Sequence, residues 1–284
     1  MTLVDHDPPH HSRPRRIAYA LTGSVLVVLI AVVAVVGGAY VFRSHPRAKT
    51  VSAAVDQYRK SAGHIAVVPV AFERPAPGVY SATGHGDESI SAPKDSQHDG
   101  AVMPITVTTL TNGCWRWRID YNTAHWHAYD YCPKNQDLLL VGQQNFQAWD
   151  LGMTTITNTG TYTCNPPRPI VTEDPKPGAT VTHTCIGNNT AAPGRSVTTG
   201  PATVVGLETL RIGGVAVAAI HETRTQTMRG PQTGEIVEQW WFERTTGLPL
   251  RCERSYRINT ASPIGKIAYR EDGTWQLSTL IPHT

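Results

Sequence analysis

From Ile17 to Phe42 the chain runs for 26 residues without a charge, and Val25 to Val36 is built wholly of Val, Leu, Ile and Ala. At about 1.5 Å per residue, a helix of this length exceeds the roughly 30 Å hydrocarbon thickness of a bilayer. A transmembrane helix over 17–42 is therefore expected, with some tilt. The rival is a cleaved secretory signal, with Gly37 and Ala39 as small residues before the cut. The apolar stretch is about twice the usual signal core, which favours the span. One span in a chain of 284 residues leaves room for an anchor and one ordinary domain, and excludes a large multidomain enzyme.

The net charge of +3 is unevenly distributed: residues 1–16 carry +1 and residues 43–60 carry +4, which leaves −2 for 61–284. A nucleic-acid binder needs a concentrated positive field to displace counterions, so no nucleic-acid partner is expected. The basic flanks read as contacts to lipid headgroups of a bilayer. More basic residues follow the span than precede it, but a long tail is translocated largely regardless of its charge. The cysteines set the orientation instead. All five lie after the span, which fits an oxidising, extracytoplasmic compartment. The expected order is a cytoplasmic tail (1–16), the transmembrane helix (17–42), an extracytoplasmic stem (43–74) and a β domain (75–284). The tail is Pro-rich, and its His6, His10 and His11 read as part of a disordered segment rather than a metal site. The stem reads as a spacer with a short helix around Val51 to Lys60.

From Gly78 onward, short runs of Thr, Val, Ile, Tyr and Trp are punctuated by Gly, Pro, Asn and Asp. That pattern predicts a mainly β, antiparallel fold, a strongly curved sheet or half-barrel. Asn112-Gly113 supplies the positive φ angles of a two-residue type I′ turn. For the next hairpin, pairing Trp115 with Tyr131, Trp117 with Tyr129 and Arg116 with Asp130 sets one register. Cross-strand aromatic and opposite-charge pairs contribute up to about 1 kcal/mol each. The same register puts Cys114 opposite Cys132 and makes Asn122-Thr123-Ala124 the loop. Further strands are expected over Glu208 to Ile212, Val215 to Met228, Glu235 to Glu243 and Leu248 to Ile258. Two last strands, near Gly265 to Arg270 and Thr274 to Ile281, are expected around an Asp272-Gly273 turn. In the strand from Leu248, alternation puts Leu248, Leu250, Cys252, Tyr256 and Ile258 on a buried face. Arg251, Glu253, Ser255 and Arg257 fall on the wet one.

A disulfide between Cys164 and Cys185 would close the Pro-rich segment from Asn165 to Thr184. Each such closure contributes roughly 3 kcal/mol by restricting the unfolded chain. Cys252 is left over, either as a buried thiol packing as a small hydrophobe or as a reactive or intermolecular cysteine. No Cys-x-x-Cys pair supports zinc.

His125-Trp126-His127 sets two imidazoles on one strand face, a spacing that can serve a metal, but no third ligand is evident along the chain. Packing against Tyr121 and Ile119 is the expectation. His221 and Glu222 point to opposite faces and cannot act as an acid/base pair. Glu222 and Arg224 share a face and read as a surface ion pair. Gly84-His85-Gly86 lacks a following helix and reads as a turn. Trp240 and Phe242 share one face with Trp241 on the other, in packing roles. No catalytic, cofactor or metal site is expected, because no nucleophile elbow, phosphate-binding loop or His-Glu-x-x-His helix is present.

Several segments together resemble uncharacterised single-pass membrane proteins of actinobacteria whose external domain begins at a Pro-Gly-Val-Tyr strand. They are Pro77-Gly-Val-Tyr80, Asp87-Glu-Ser-Ile90, Asn112-Gly-Cys-Trp-Arg-Trp-Arg-Ile-Asp120, Cys164-Asn-Pro-Pro167, Glu208-Thr-Leu210, Trp241-Phe242, Gly247-Leu-Pro-Leu-Arg251 and Ser262-Pro-Ile-Gly265. This resemblance, over about residues 75–281, implies paired cysteines at 114, 132, 164 and 185, and Cys252 departs from the pattern. The Trp-Phe and Gly-Leu-Pro-Leu alternation also resembles the half-barrels of periplasmic lipid and lipoprotein carriers. Neither resemblance transfers an activity. The function expected is a membrane-anchored extracytoplasmic binding module for a lipid or a protein partner. The alternatives are a hydrolase whose site is assembled from distant residues, and a transmembrane sensor.

Overall fold

A computed structural model of the chain describes residues 43–61, 73–172, 174–262 and 265–284. The expected cytoplasmic tail and transmembrane helix lie outside these residues. Among the described residues, no helix is long and apolar enough to cross a membrane. Two compact units divide the chain, and residues 45–149 with 155–284 form the larger.

Among its described residues it is a mainly β, antiparallel structure of thirteen strands. The first five are β1 (Gly78–Ser91), β2 (Lys94–His98), β3 (Val102–Thr109), β4 (Trp115–Asp120) and β5 (His125–Lys134). Then follow β6 (Asp137–Asp150), β7 (Thr155–Val171), β8 (Thr180–Asn189) and β9 (Arg195–Ile212). The last four are β10 (Val215–Arg229), β11 (Gln232–Glu243), β12 (Pro249–Ser262) and β13 (Gly265–Leu277). Neighbours in sequence are neighbours in the sheet from β3 to β13. β1 sits between β3 and β13, pairing with β13 from Ala82↔Leu277 to Ile90↔Tyr269. That last pairing carries the expected curvature through to a closed twelve-stranded barrel, with β2 appended to the end of β1. Closure removes the exposed sheet edges that a half-barrel would leave.

Local chemistry explains the turns. Asn112 and Gly113 have φ of 56° and 74°, and Cys114 N–H donates to Thr111 O at 3.1 Å. The hairpin β4–β5 has the register Trp115↔Tyr131, Arg116↔Asp130 and Trp117↔Tyr129. Cys114 is joined to Cys132, and Cys164 to Cys185, while Cys252 is a free, buried thiol. The Pro-rich segment is less of a loop than its composition implies. β7 and β8 pair from Gly160↔Asn189 to Cys164↔Cys185, and that pairing ends before Pro166 and Pro167, which have no N–H to donate.

Two sequence expectations are corrected. Gly84-His85-Gly86 is not a turn but the middle of β1, and Asp272-Gly273 is not a turn but lies within an unbroken β13. In both places glycine makes room for neighbours. A Cβ on Gly84 would lie 2.1 Å from Thr274 O, and one on Gly273 would lie 2.6 Å from the Arg254 guanidinium.

The stem contains helix α1 (Val51–Ser61), and here its role differs from a spacer. Thr50 caps it, with Ala53 N–H donating to Thr50 Oγ1 at 3.1 Å. Ala54 and Val55 are buried against Val79 of β1, with Val51 and Tyr58 beside them. Lys49 reaches the buried Asp120 at 2.9 Å. The helix is thus part of the folded unit.

Eight strands enclose an interior that side chains just fill, and twelve enclose more. At one end the space is filled by aromatic bulk. Trp117 stacks on Trp275 at 5.3 Å, meets Trp240 edge-on at 5.8 Å, and Trp240 stacks on Phe242 at 5.7 Å. Beyond this plug comes a belt of buried charge, and beyond the belt a cavity.

Candidate functional site

The cavity has a volume of about 470 Å³, within the range of small-molecule sites. One wall is apolar, from Ile90, Ile236, Ile258 and Ile267 on the adjacent strands β1, β11, β12 and β13, with Met228 of β10 beside them. The facing wall carries amides, including Gln143, Gln144 and Asn145 of β6 and Asn189 of β8. The floor is ionisable: His127, Glu238, Tyr256 and Glu271 all line it.

Strand alternation builds that floor. On β5 the inward side chains include His125, His127, Tyr129 and Tyr131, all buried. The histidines do pack near Tyr121, whose ring centre lies 4.7 Å from that of His125. They also meet polar partners. His125 Nε2 lies 3.2 Å from His127 Nε2, and His125 Nδ1 lies 3.2 Å from Glu88 Oε1. Gln147 Nε2 and Tyr269 Oη each donate to Glu88 Oε2 at 2.8 Å. Tyr269 Oη also contacts Glu271 Oε2 at 2.6 Å. Arg254 donates from Nε to Glu271 Oε1 and from Nη2 to Asp99 Oδ2, with its guanidinium 3.8 Å from the Tyr121 ring centre. Side-chain atoms of His125, His127 and Glu271 that can bind a metal lie within 4.8 Å of one another. Glu271 is the third group that spacing along the chain could not show, because it arrives from β13.

A second network lies farther round the barrel. Glu222 Oε1 accepts from Arg168 Nη1 and from Arg224 Nε, each at 2.6 Å. Arg224 Nη1 also reaches Glu238 Oε2 at 3.4 Å. Glu238 accepts further bonds from Trp240 Nε1 at 2.9 Å and Tyr256 Oη at 2.6 Å. The pair Glu222 and Arg224 therefore exists but is buried, not on the surface as expected. The face they share is the barrel interior.

The environment separates the two imidazoles. Burial drives the His127 pKa down to about 3, helped by the positive field of His125. Burial acts on His125 in the same direction, but the carboxylates of Glu88, Glu271 and Asp99 outweigh it and hold that pKa above the ordinary value. Glu271 is held low, because Arg254 and both histidines outweigh its burial. Burial pushes the Cys252 thiol well up, so it remains protonated.

His221 points away from Glu222, and its carboxylate partner is instead Glu208 of β9, at 2.7 Å from Nδ1. Its ring stacks on Trp241 at 4.2 Å, and Trp241 Nε1 donates to Glu208 Oε2 at 2.8 Å. Trp240 and Phe242 pack inside, Trp241 on the other face.

Glu88, Asp99, Arg168, Glu238, Arg254 and Glu271 carry the site but were not singled out from the sequence. Parity was the available signal for two of them. Arg254 sits between Cys252 and Tyr256 on the buried face of β12, and Glu238 shares its face of β11 with Trp240 and Phe242.

No protein-family model and no curated protein matches the chain. Among solved structures, the hypothetical lipoprotein YmcC from Escherichia coli is 13% identical with a TM-score of 0.33, over 78% of this chain and 95% of that one. A protein described as a lipoprotein from Parabacteroides distasonis is 12% identical with a TM-score of 0.41, over 73% and 96%. At that level of likeness neither name bears on what this chain does.

Proposed function

We propose that this chain is a membrane-tethered, extracytoplasmic binding module whose barrel takes up a slender apolar chain of the acyl class. The observation that carries the reading is the cavity itself. It has an isoleucine wall from four adjacent strands facing a wall of amides, which suits a chain with both an apolar edge and a hydrogen-bonding group. Two disulfides support an oxidising compartment. The charge-free run over 17–42 and its basic flank support a bilayer tether. The partners are then the bilayer and an acyl-bearing lipid from it.

The test is uptake of an environment-sensitive fluorescent fatty acid by the full-length chain in detergent, with extraction of any copurified lipid. Stoichiometric uptake is expected, and Ile236→Glu or Ile258→Glu should abolish it by putting a carboxylate on the apolar wall. Wild-type protein that takes up no probe and releases no lipid would overturn the reading.

A further inference from the structure

The two buried networks differ in their charge. Around Glu222, two carboxylates, Glu222 and Glu238, meet two guanidiniums, Arg168 and Arg224. Around Glu271, three carboxylates, Glu88, Asp99 and Glu271, meet the single guanidinium of Arg254. All three of these carboxylate side chains are at most 2% exposed. Even with a protonated His125 against Glu88, negative charge is in excess, and an excess away from water is costly unless something positive joins it.

We propose that a divalent transition-metal ion of the zinc type binds at the cavity floor, held by His125 Nε2, His127 Nε2 and Glu271. The two Nε2 atoms are 3.2 Å apart. An ion about 2.0–2.1 Å from each nitrogen in a tetrahedral site would separate them by about 3.3 Å. Two imidazoles and one carboxylate form the ligand set of zinc sites that keep a position open for water or substrate. The outer contacts fit as well. Glu88 stands behind His125 Nδ1, the place where a carboxylate fixes the tautomer of a ligating imidazole. Tyr269 ties Glu88 to Glu271, so ligand and outer carboxylate are positioned by one hydroxyl. His127 Nδ1 is buried without a hydrogen-bond partner, so no donor there holds the ring in the tautomer that would put its proton on Nε2. His127 and Glu271 line the cavity, so the remaining coordination positions open onto it. The inference does not depend on the acyl-chain reading.

The experiment is titration of the full-length, chelator-stripped chain in detergent with Co²⁺, followed by displacement with Zn²⁺. One Co²⁺ per chain with the visible absorption of a low-coordinate site is expected, lost on adding Zn²⁺. His127→Ala and Glu271→Gln should each weaken binding by at least about a hundredfold. Glu88→Gln keeps all three ligands and should weaken it about 10–100-fold. Because His6, His10 and His11 could also take up Co²⁺, full binding retained by His127→Ala would overturn the site. So would wild-type protein without Co²⁺ absorption, or unchanged affinity in Glu88→Gln should the ligand variants not fold. Wild-type protein should also melt at higher temperature with Zn²⁺ than with chelator, and an unchanged melt would count against it.

Discussion

Arg168 and Arg254 are both buried inside the barrel and both donate to a glutamate, yet they hold different amounts of charge in place. Arg168 shares Glu222 with Arg224, so its carboxylate has a second cation 2.6 Å away. Among the described residues, Arg254 is the only guanidinium paired with the Glu271 and Asp99 side chains. The lesson is that a buried ion pair cannot be valued from its own two members. What removal costs depends on whether the charge left behind finds another partner.

The largest effect expected from that contrast is Arg254→Met, which leaves Asp99 and Glu271 without their guanidinium and should cost about 3–5 kcal/mol in denaturant unfolding. Arg168→Met should cost clearly less, because Arg224 continues to hold Glu222. Equal losses would break the distinction.

Acid titration sharpens it further. His183, buried beside Arg168 and Arg224, has its pKa pushed down to about 3 by burial and then by those two charges. A base whose folded pKa lies below its unfolded value of about 6.5 contributes full stability above 6.5. That stability is lost as pH falls from 6.5 toward 3, at about 1.4 kcal/mol per pH unit. His125 has the opposite sign, since its raised pKa favours the folded state at low pH and loses that contribution as pH rises through it. His183→Gln should therefore flatten the acid limb of the stability curve measured between about pH 6.5 and 3, whereas His125→Gln should leave that limb unchanged and instead remove a loss of stability as pH rises above about 6.5. The same change of slope in both variants would mean that the two networks do not differ in field.

The smallest effects come from single hydroxyls. Tyr269→Phe removes the one hydroxyl shared by Glu88 and Glu271, and should cost about 1–3 kcal/mol. Tyr256→Phe removes one donor from Glu238, which keeps Trp240 and Arg224, and about 1 kcal/mol is expected. Thermal or denaturant melts of the two variants would rank them. The reverse order would show the Glu271 cluster to be better satisfied than its charge suggests.

Much of the fold was legible in the sequence because strand signals are local. Asn112-Gly113 dictates its own turn, Trp115, Trp117, Tyr129 and Tyr131 set a register, and Gly213-Gly214 turns β9 into β10 with φ of 56° and 85°. The misread glycines have a common cause. Gly84 and Gly273 are placed for the close approach of Trp275 and Arg254 from neighbouring strands, and nothing in their own flanking residues announces such a neighbour. The site was legible only in halves. Parity puts His125 and His127 on one face and Glu222 with Arg224 on another, but does not say that these faces look into the same enclosed space. For that reason the local pattern of Glu222 and Arg224, two inward charges, is the same as that of a surface pair.

The amino-acid order alone determined the antiparallel alternation, the turns and the β4–β5 register, because each depends on residues a few positions apart whose side chains must alternate across the pleat. Barrel closure decided the rest. Pairing β1 with β13 brings Glu88 and Glu271 beside the β5 histidines, and closing twelve strands rather than eight leaves room for the cavity above them. Those contacts join segments that share no local pattern, and their energies are set by burial and by the summed field of charges from many strands.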